Sequence, residues 1–304
     1  MRILVTGATG AIGKVLVKAL SKEAYDLAIL VRNPDVLPQY FSDDLLTKLK
    51  VIPCLPEISE ASLIDFNPEA VIHLAAYSTS RDDAQTIQEL IATNISFGSD
   101  LLSKLSKCDL KYFINTGSST EYFENMEELN PTYFYSATKT AFRSILDYFR
   151  QLNNFKVVNS ILFSVYGTTN EGKKIFDYLL DGLNSEEPVN VSPGLQELDF
   201  IHIDDVVSYY LTVVKKLLSS PAIDSCELFV GTGETHSLRK VATTIERLTG
   251  KKLWLNWGGV SYRERDMLYA KAPMHKNEGL IEWRSQFTIE TGVKKWLKEK
   301  INFS

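Results

Sequence analysis

The chain has 304 residues, 44% hydrophobic and 23% charged, enough to bury one large core or a large and a small one. A formal charge of −5 and a pI near 5.5 exclude the basic footprint of a nucleic-acid binder. Only the apolar run Ile3-Leu4-Val5 separates Arg2 from the glycine turn that begins at Thr6-Gly7, which is no secretory core, and no later apolar run reaches membrane-spanning length; a cytoplasmic protein without nucleic-acid or membrane partners is expected. Cys54, Cys108 and Cys226 are odd in number and scattered, and His73, His202, His236 and His275 stand alone, so neither a disulfide framework nor a metal site is expected.

In chain order, Ile3-Leu4-Val5 reads as a buried parallel strand, Gly7-Ala8-Thr9-Gly10-Ala11-Ile12-Gly13 as a glycine turn, and Val15, Leu16, Ala19 and Leu20 as the apolar stripe of a helix. Glycine permits positive φ and close backbone approach, and the first amides of a helix point toward whatever anion lies before them. The turn is therefore a candidate diphosphate cradle. Leu27 to Val31 is a second strand ending at Arg32-Asn33-Pro34. An acidic residue at such an end holds the adenosine ribose, whereas a basic one accommodates a 2′-phosphate, so Arg32 points to NADP, with NAD retained as a possibility. Val51 to Glu57 reads as a third strand and its exit, Ala70 to Ala76 as a fourth strand followed by small residues, and Thr86 to Leu105 as a helix whose apolar stripe is interrupted by Asn94. Lys111 to Thr116 is a fifth strand running into Gly117-Ser118-Ser119-Thr120-Glu121-Tyr122, a hydroxyl cluster at the kind of strand end where open α/β sheets bind ligands. Tyr135 and Lys139 open the next helix one turn apart, hence on one face. Val157 to Phe163 is a sixth strand. Lys173 to Leu183 and the helix continuing to Leu218 follow, Glu227 to Gly233 returns to the sheet, and the tail holds helices from Ser237 and up to Ile301.

The spacing Thr6-Gly7-x-x-Gly10-x-x-Gly13, followed by Ser118 and by Tyr135-x-x-x-Lys139, resembles the extended short-chain dehydrogenase/reductases of the NAD(P)-dependent epimerase/dehydratase family. Further resemblances are Val165-Tyr166-Gly167 and Asp199-Phe200-Ile201-His202. The chain departs from the family pattern at Cys54-Leu55-Pro56-Glu57, at Ile161 and at Leu198, the last two standing where arginine is usual. The resemblance implies a doubly wound parallel Rossmann sheet with a smaller carboxy-terminal substrate lobe, with residues 1–165 and 200–233 binding the dinucleotide and 166–199 and 234–304 forming the lobe. It implies cofactor contacts from Gly7, Thr9, Gly10, Ala11, Ile12, Gly13, Arg32, Leu74, Ala75, Ala76, Asn94 and Lys139, and substrate contacts from Ser78, Ser119, Thr120 and Arg263. A homodimer through the helices around Ile87 to Leu105 and Phe142 to Phe149 is also implied.

Hydride transfer to or from a carbonyl must be matched by a proton on its oxygen. The reference pKa of tyrosine is about 10; bringing it near neutrality takes about 4 kcal/mol, which an ammonium some ~4 Å away supplies at an effective dielectric of about 20. Lys139 is thus expected to lower Tyr135, while Ser118 hydrogen-bonds the reacting oxygen. Dehydratases of the family carry an Asp-Glu pair after the hydroxyl, where Ser119-Thr120 stands here, so dehydration is disfavoured although Glu121 leaves it open. The expected activity is NADP(H)-dependent reduction of the 4-keto group of a nucleotide-activated deoxysugar, with 4-epimerisation on tightly held NAD as the alternative.

Overall fold

The computed structural model describes residues 1–167, 174–219 and 224–301. Seven strands form one all-parallel sheet: β1 (Arg2–Thr6), β2 (Asp26–Val31), β3 (Leu49–Pro53), β4 (Ala70–His73), β5 (Tyr112–Ser118), β6 (Lys156–Leu162) and β7 (Cys226–Val230). Their spatial order is β7-β6-β5-β4-β1-β2-β3, so the sheet is doubly wound and its direction reverses between β1 and β4. That switch opens a crevice at the carboxyl ends of the strands.

Alternation along the strands decides which helix each residue meets. Ile3, Val5, Ile72 and Ile114 face one layer, packed with Leu16, Val17 and Leu20 of the first helix and Val206, Tyr210 and Val213 of the Ile203–Ser219 helix. Leu4, Val71 and Phe113 face the other, against Leu63, Leu101, Leu105, Phe142 and Leu146. Both faces of the sheet are therefore covered, which is why its strands read as continuous apolar runs rather than alternating ones.

A further core, apart from the sheet, joins Phe176, Leu179, Val241, Ile245, Val293, Trp296 and Leu297 to Tyr166 and Phe200. Two short strands, Val189–Val191 and Leu255–Trp257, pair beside it. Several boundaries differ from the sequence reading. β5 runs on through Gly117 to Ser118, so the first hydroxyl of the cluster is the last residue of the strand. The third strand stops at Pro53, before the Cys54 to Glu57 exit. The helix expected from Lys173 is Ile175–Asn184, and Lys173 itself lies outside the described residues. Cys54 is buried, but Cys108 and Cys226 are only partly so; all three are free thiols. Among the described residues no helix is long and apolar enough to cross a membrane, and no cluster of His, Cys, Asp and Glu could hold a metal.

Candidate active site

The glycine turn follows β1 and leads into the Ala11–Leu20 helix. Gly7 has φ +67°, and a Cβ there would lie 2.7 Å from the Ala75 backbone nitrogen. A Cβ on Gly13 would collide with the Gly7 carbonyl oxygen, so any side chain at 7 or 13 would force apart the turn and the β4 exit. Gly10 is exposed, and a Cβ there would crowd only the Gly7 oxygen. The residues present thus fit a dinucleotide: Gly10, Ala11 and Ile12 open the helix beside the crevice, and Ala75 and Ala76 leave space on its far side. Thr6 closes the bottom, its Oγ1 accepting from Ala75 N at 3.1 Å and lying 2.9 Å from His73 Nδ1. Arg32 is exposed at the end of β2, and among the described residues no hydrogen bond or ion pair engages its guanidinium.

Asn94 lies in a π-helical turn, Ala92–Ser96, inserted where the sequence suggested one continuous helix, and it is 1% exposed. Its Oδ1 accepts from Tyr77 N at 2.8 Å, and its Nδ2 donates to Tyr77 O at 3.0 Å and to Thr138 Oγ1 at 2.9 Å. The polar interruption of the stripe is therefore a brace between the β4 exit and the helix bearing Tyr135 and Lys139. Thr138 carries it further by donating to the Tyr135 carbonyl at 2.6 Å.

Ser118, Tyr135 and Lys139 converge around Glu121. The Ser118 amide donates to Glu121 Oε1 at 2.8 Å, and the charge of Glu121 acts on both Tyr135 and Lys139. Ser118 Oγ lies 2.8 Å from Thr120 Oγ1, and Ser78 exerts a lowering influence on the Tyr135 phenol. Ser119, by contrast, is only 5% exposed, which leaves it little surface to offer a substrate. Burial, reinforced by the Glu121 charge, pushes Tyr135 up to about 12. The lowering expected from Lys139 is not found: burial and the Glu121 charge both raise Tyr135. Burial also pushes Lys139 down to about 8, with Glu121 raising it and Arg143 lowering it.

Sequence reasoning missed the polar network beneath these residues. Glu121 is 0% exposed, and its Oε2 accepts from Arg143 Nε at 2.7 Å and from Thr140 Oγ1 at 3.3 Å. Arg143 Nη1 continues to Glu227 Oε2 at 2.5 Å, and Tyr122 OH donates to the same oxygen at 2.6 Å. A carboxylate so enclosed cannot deliver a proton to a substrate, which removes the opening that Glu121 left for dehydration. The one available signal was Arg143 standing four residues after Lys139, as Lys139 stands four after Tyr135.

The two late arginines separate. Arg265 is spent on the 123–131 loop, donating to Asn130 Oδ1 at 2.6 Å and lying over the Phe123 ring. Arg263 remains 58% exposed in its side chain, 5.9 Å from the Tyr133 ring and 3.6 Å from Asp266. Tyr133 donates to Asp266 at 2.7 Å, so this segment is pinned beside the start of the catalytic helix. Ile161 is fully buried in the core, and Leu198 lies in a short strand before Asp199, whose carboxylate accepts from Thr232 N, Gly233 N and Ala272 N. A cavity of about 770 Å³ lies elsewhere, lined by Thr232, His236, Met274, Trp283 and Phe287 and by none of Ser118, Tyr135 and Lys139.

A glycine cradle on a doubly wound parallel sheet, with a hydroxyl, a tyrosine and a lysine gathered past the switch point, defines an enzyme of dinucleotide-dependent carbonyl and alcohol chemistry. The chain belongs to the NAD dependent epimerase/dehydratase family, whose pattern matches residues 3–224. Among relatives, it is 29% identical to a CDP-abequose synthase of Salmonella muenchen over 98% of each chain. It is 24% identical to a UDP-glucuronate 4-epimerase of Thermodesulfobacterium geofontis over 78% of this chain and 74% of that one. A UDP-glucuronic acid 4-epimerase of Bacillus cereus, solved as a Y149F mutant with a fluorinated UDP-sugar and NAD, shares the fold with a TM-score of 0.87 at 22% identity, covering 98% of this chain and 99% of that one.

Proposed function

We propose that this chain is an NADP(H)-dependent oxidoreductase that reduces the 4-keto group of a nucleotide-activated deoxysugar. The observation that carries the reading is the Tyr135–Lys139 pair one turn apart on the helix that faces the Ser118 strand end, a phenol placed to give a proton to a carbonyl oxygen. The likeness to CDP-abequose synthases over nearly the whole chain supports a sugar carried on a nucleoside diphosphate, with cytidine as the base favoured by those names.

In this reading the reduced nicotinamide supplies the hydride when bound. Ser118 hydrogen-bonds the sugar carbonyl oxygen and Tyr135 gives it the phenolic proton, so an alcohol forms as negative charge develops on that oxygen. The Lys139 ammonium stabilises the phenolate left behind, which then regains a proton from water. Ser78 and Thr120 flank the reacting hydroxyls as substrate contacts, and Arg263 pairs with the diphosphate. Gly7, Gly10, Gly13, Thr9, Leu74, Ala75 and Ala76 hold the dinucleotide, and Arg32 takes its 2′-phosphate. Residues 1–165 and 200–233 serve the cofactor and residues 166–199 and 234–304 the sugar; the separate core around Trp296 supports that division. Tyr148 and Leu152, 60% and 63% exposed on the catalytic helix, support a homodimer through that face, which sedimentation at micromolar concentration tests.

The deciding experiment mixes purified protein with NADPH and a cytidine diphosphate 4-keto-6-deoxysugar and follows nicotinamide absorbance. One NADPH consumed per sugar is expected. Protein that purifies with stoichiometric NAD and interconverts two hydroxy sugars without net cofactor turnover is a 4-epimerase instead.

A further inference from the structure

Tyr135, Lys139 and Arg143 lie four residues apart along one helix, and the network under them is closed by acidic groups from two other elements. Glu121 comes from the turn after β5 and Glu227 from β7. A fully buried carboxylate is costly unless every lone pair is used, and Glu121 uses its lone pairs on the Ser118 amide, Thr140 and Arg143. Gly117 makes this possible: a Cβ there would stand 2.8 Å from Glu121 Oε1, 3.2 Å from Arg143 Nη2 and 2.7 Å from the Ile161 methyl. The strand end is thus carved to admit an acid whose contacts reach both Ser118 and the catalytic helix.

We propose that Glu121 is a positioning residue for the reduction: its carboxylate locks the Ser118 strand end to the Tyr135–Lys139 helix and supplies the negative charge that lets the Lys139 ammonium persist beside the Arg143 guanidinium. This rests on the reductase reading for its kinetic consequences, but its electrostatic part stands without any substrate. The charged and titratable groups facing Glu121 are Lys139, Arg143 and Tyr135 on the helix, with Glu227 and Tyr122 beyond Arg143. Two of these are cations one helical turn apart. Loss of the Glu121 charge leaves Lys139 to the lowering influences of burial and Arg143, whereas loss of Arg143 removes one of those two and leaves the acid opposed by burial.

The test exploits those opposite signs. In cofactor-free protein the Lys139 side chain is titrated by carbon NMR of its ε-carbon, the resonance being assigned by its disappearance in Lys139→Arg. Glu121→Gln is expected to move the Lys139 titration to lower pH and Arg143→Met to move it to higher pH, each by at least half a unit. With NADPH and the 4-keto sugar, Glu121→Gln is expected to lower kcat ten- to a hundredfold with KM within threefold, and to shift the alkaline fall of kcat/KM the same way as the NMR titration. A purely structural role would move both variants alike or neither, and either result overturns the proposal. If Glu121→Gln does not fold, Arg143→Met decides alone: an upward shift upholds the charge balance, and no shift or a downward one overturns it. Absence of wild-type turnover with the keto sugar would refute the reductase reading while leaving the NMR outcome to judge Glu121.

Discussion

The Asn94 side-chain amide donates to Thr138 Oγ1 at 2.9 Å, joining a π turn on one helix to the residue just before Lys139 on another. With its two bonds to the Tyr77 backbone, Asn94 ties the β4 exit to the catalytic helix. Asn94→Ala leaves a part-buried Tyr77 amide and carbonyl without their partner, at up to about 1–3 kcal/mol for each group left unpaired. We expect a lowered unfolding midpoint in urea together with a loss of kcat larger than the loss of folded protein explains.

Tyr135→Phe keeps the ring and its packing but removes the proton. Cofactor binding, read by NADPH fluorescence, is expected to stay within about threefold, and turnover to fall at least about a hundredfold. Wild-type turnover in this variant would sink the acid assignment.

Two pH windows follow from burial. Lys139, pushed down to about 8, carries its ammonium below that pH, so kcat/KM for reduction should decline as pH rises through about 8. His73 is held neutral by burial, down to about 3 against an ordinary 6.5. Between those values the unfolded chain binds the extra proton, so stability is full above about 6.5 and is lost as pH falls toward 3. Urea midpoints measured from pH 7 to 4 should fall, and less steeply in His73→Leu.

Arg32, just past the end of β2, is exposed, and among the described residues no acidic group pairs with it. A charge-assisted pair with a 2′-phosphate is worth about 1.5–3 kcal/mol, or roughly tenfold to a hundredfold in preference. Arg32→Asp should therefore reverse the NADPH over NADH ratio by at least tenfold in kcat/KM. An unchanged ratio would assign the phosphate to other groups.

Arg263 is half free and Arg265 is committed, so the pair should differ in assay. Arg263→Ala is expected to raise KM for the nucleotide sugar at least tenfold with little change in cofactor affinity. Arg265→Ala should instead lower thermal stability through the 123–131 loop and leave KM near wild type.

The amino-acid sequence by itself determined the sheet, because buried parallel strands such as Ile3–Val5 and Ala70–His73 are continuous apolar runs that no other element resembles. It also placed the glycine turn and the Tyr135–Lys139 pair, since local spacing along a turn or a helix fixes which groups share a face. What it could not determine was everything that depends on contacts between distant segments. Glu121 read as an acid that left dehydration open, and it is a fully enclosed anchor because Arg143, 22 positions on, folds against it. Tyr135 read as a phenol that a neighbouring lysine would acidify. Burial in the packing around it, together with the Glu121 charge, raises it instead. Arg263 was legible as a candidate in the sequence, but only the approach of Asn130 and Phe123 showed that Arg265 is spent elsewhere. Spacing acts over a few residues and is written in the chain, whereas burial and charge pairing are properties of the volume that the whole chain encloses.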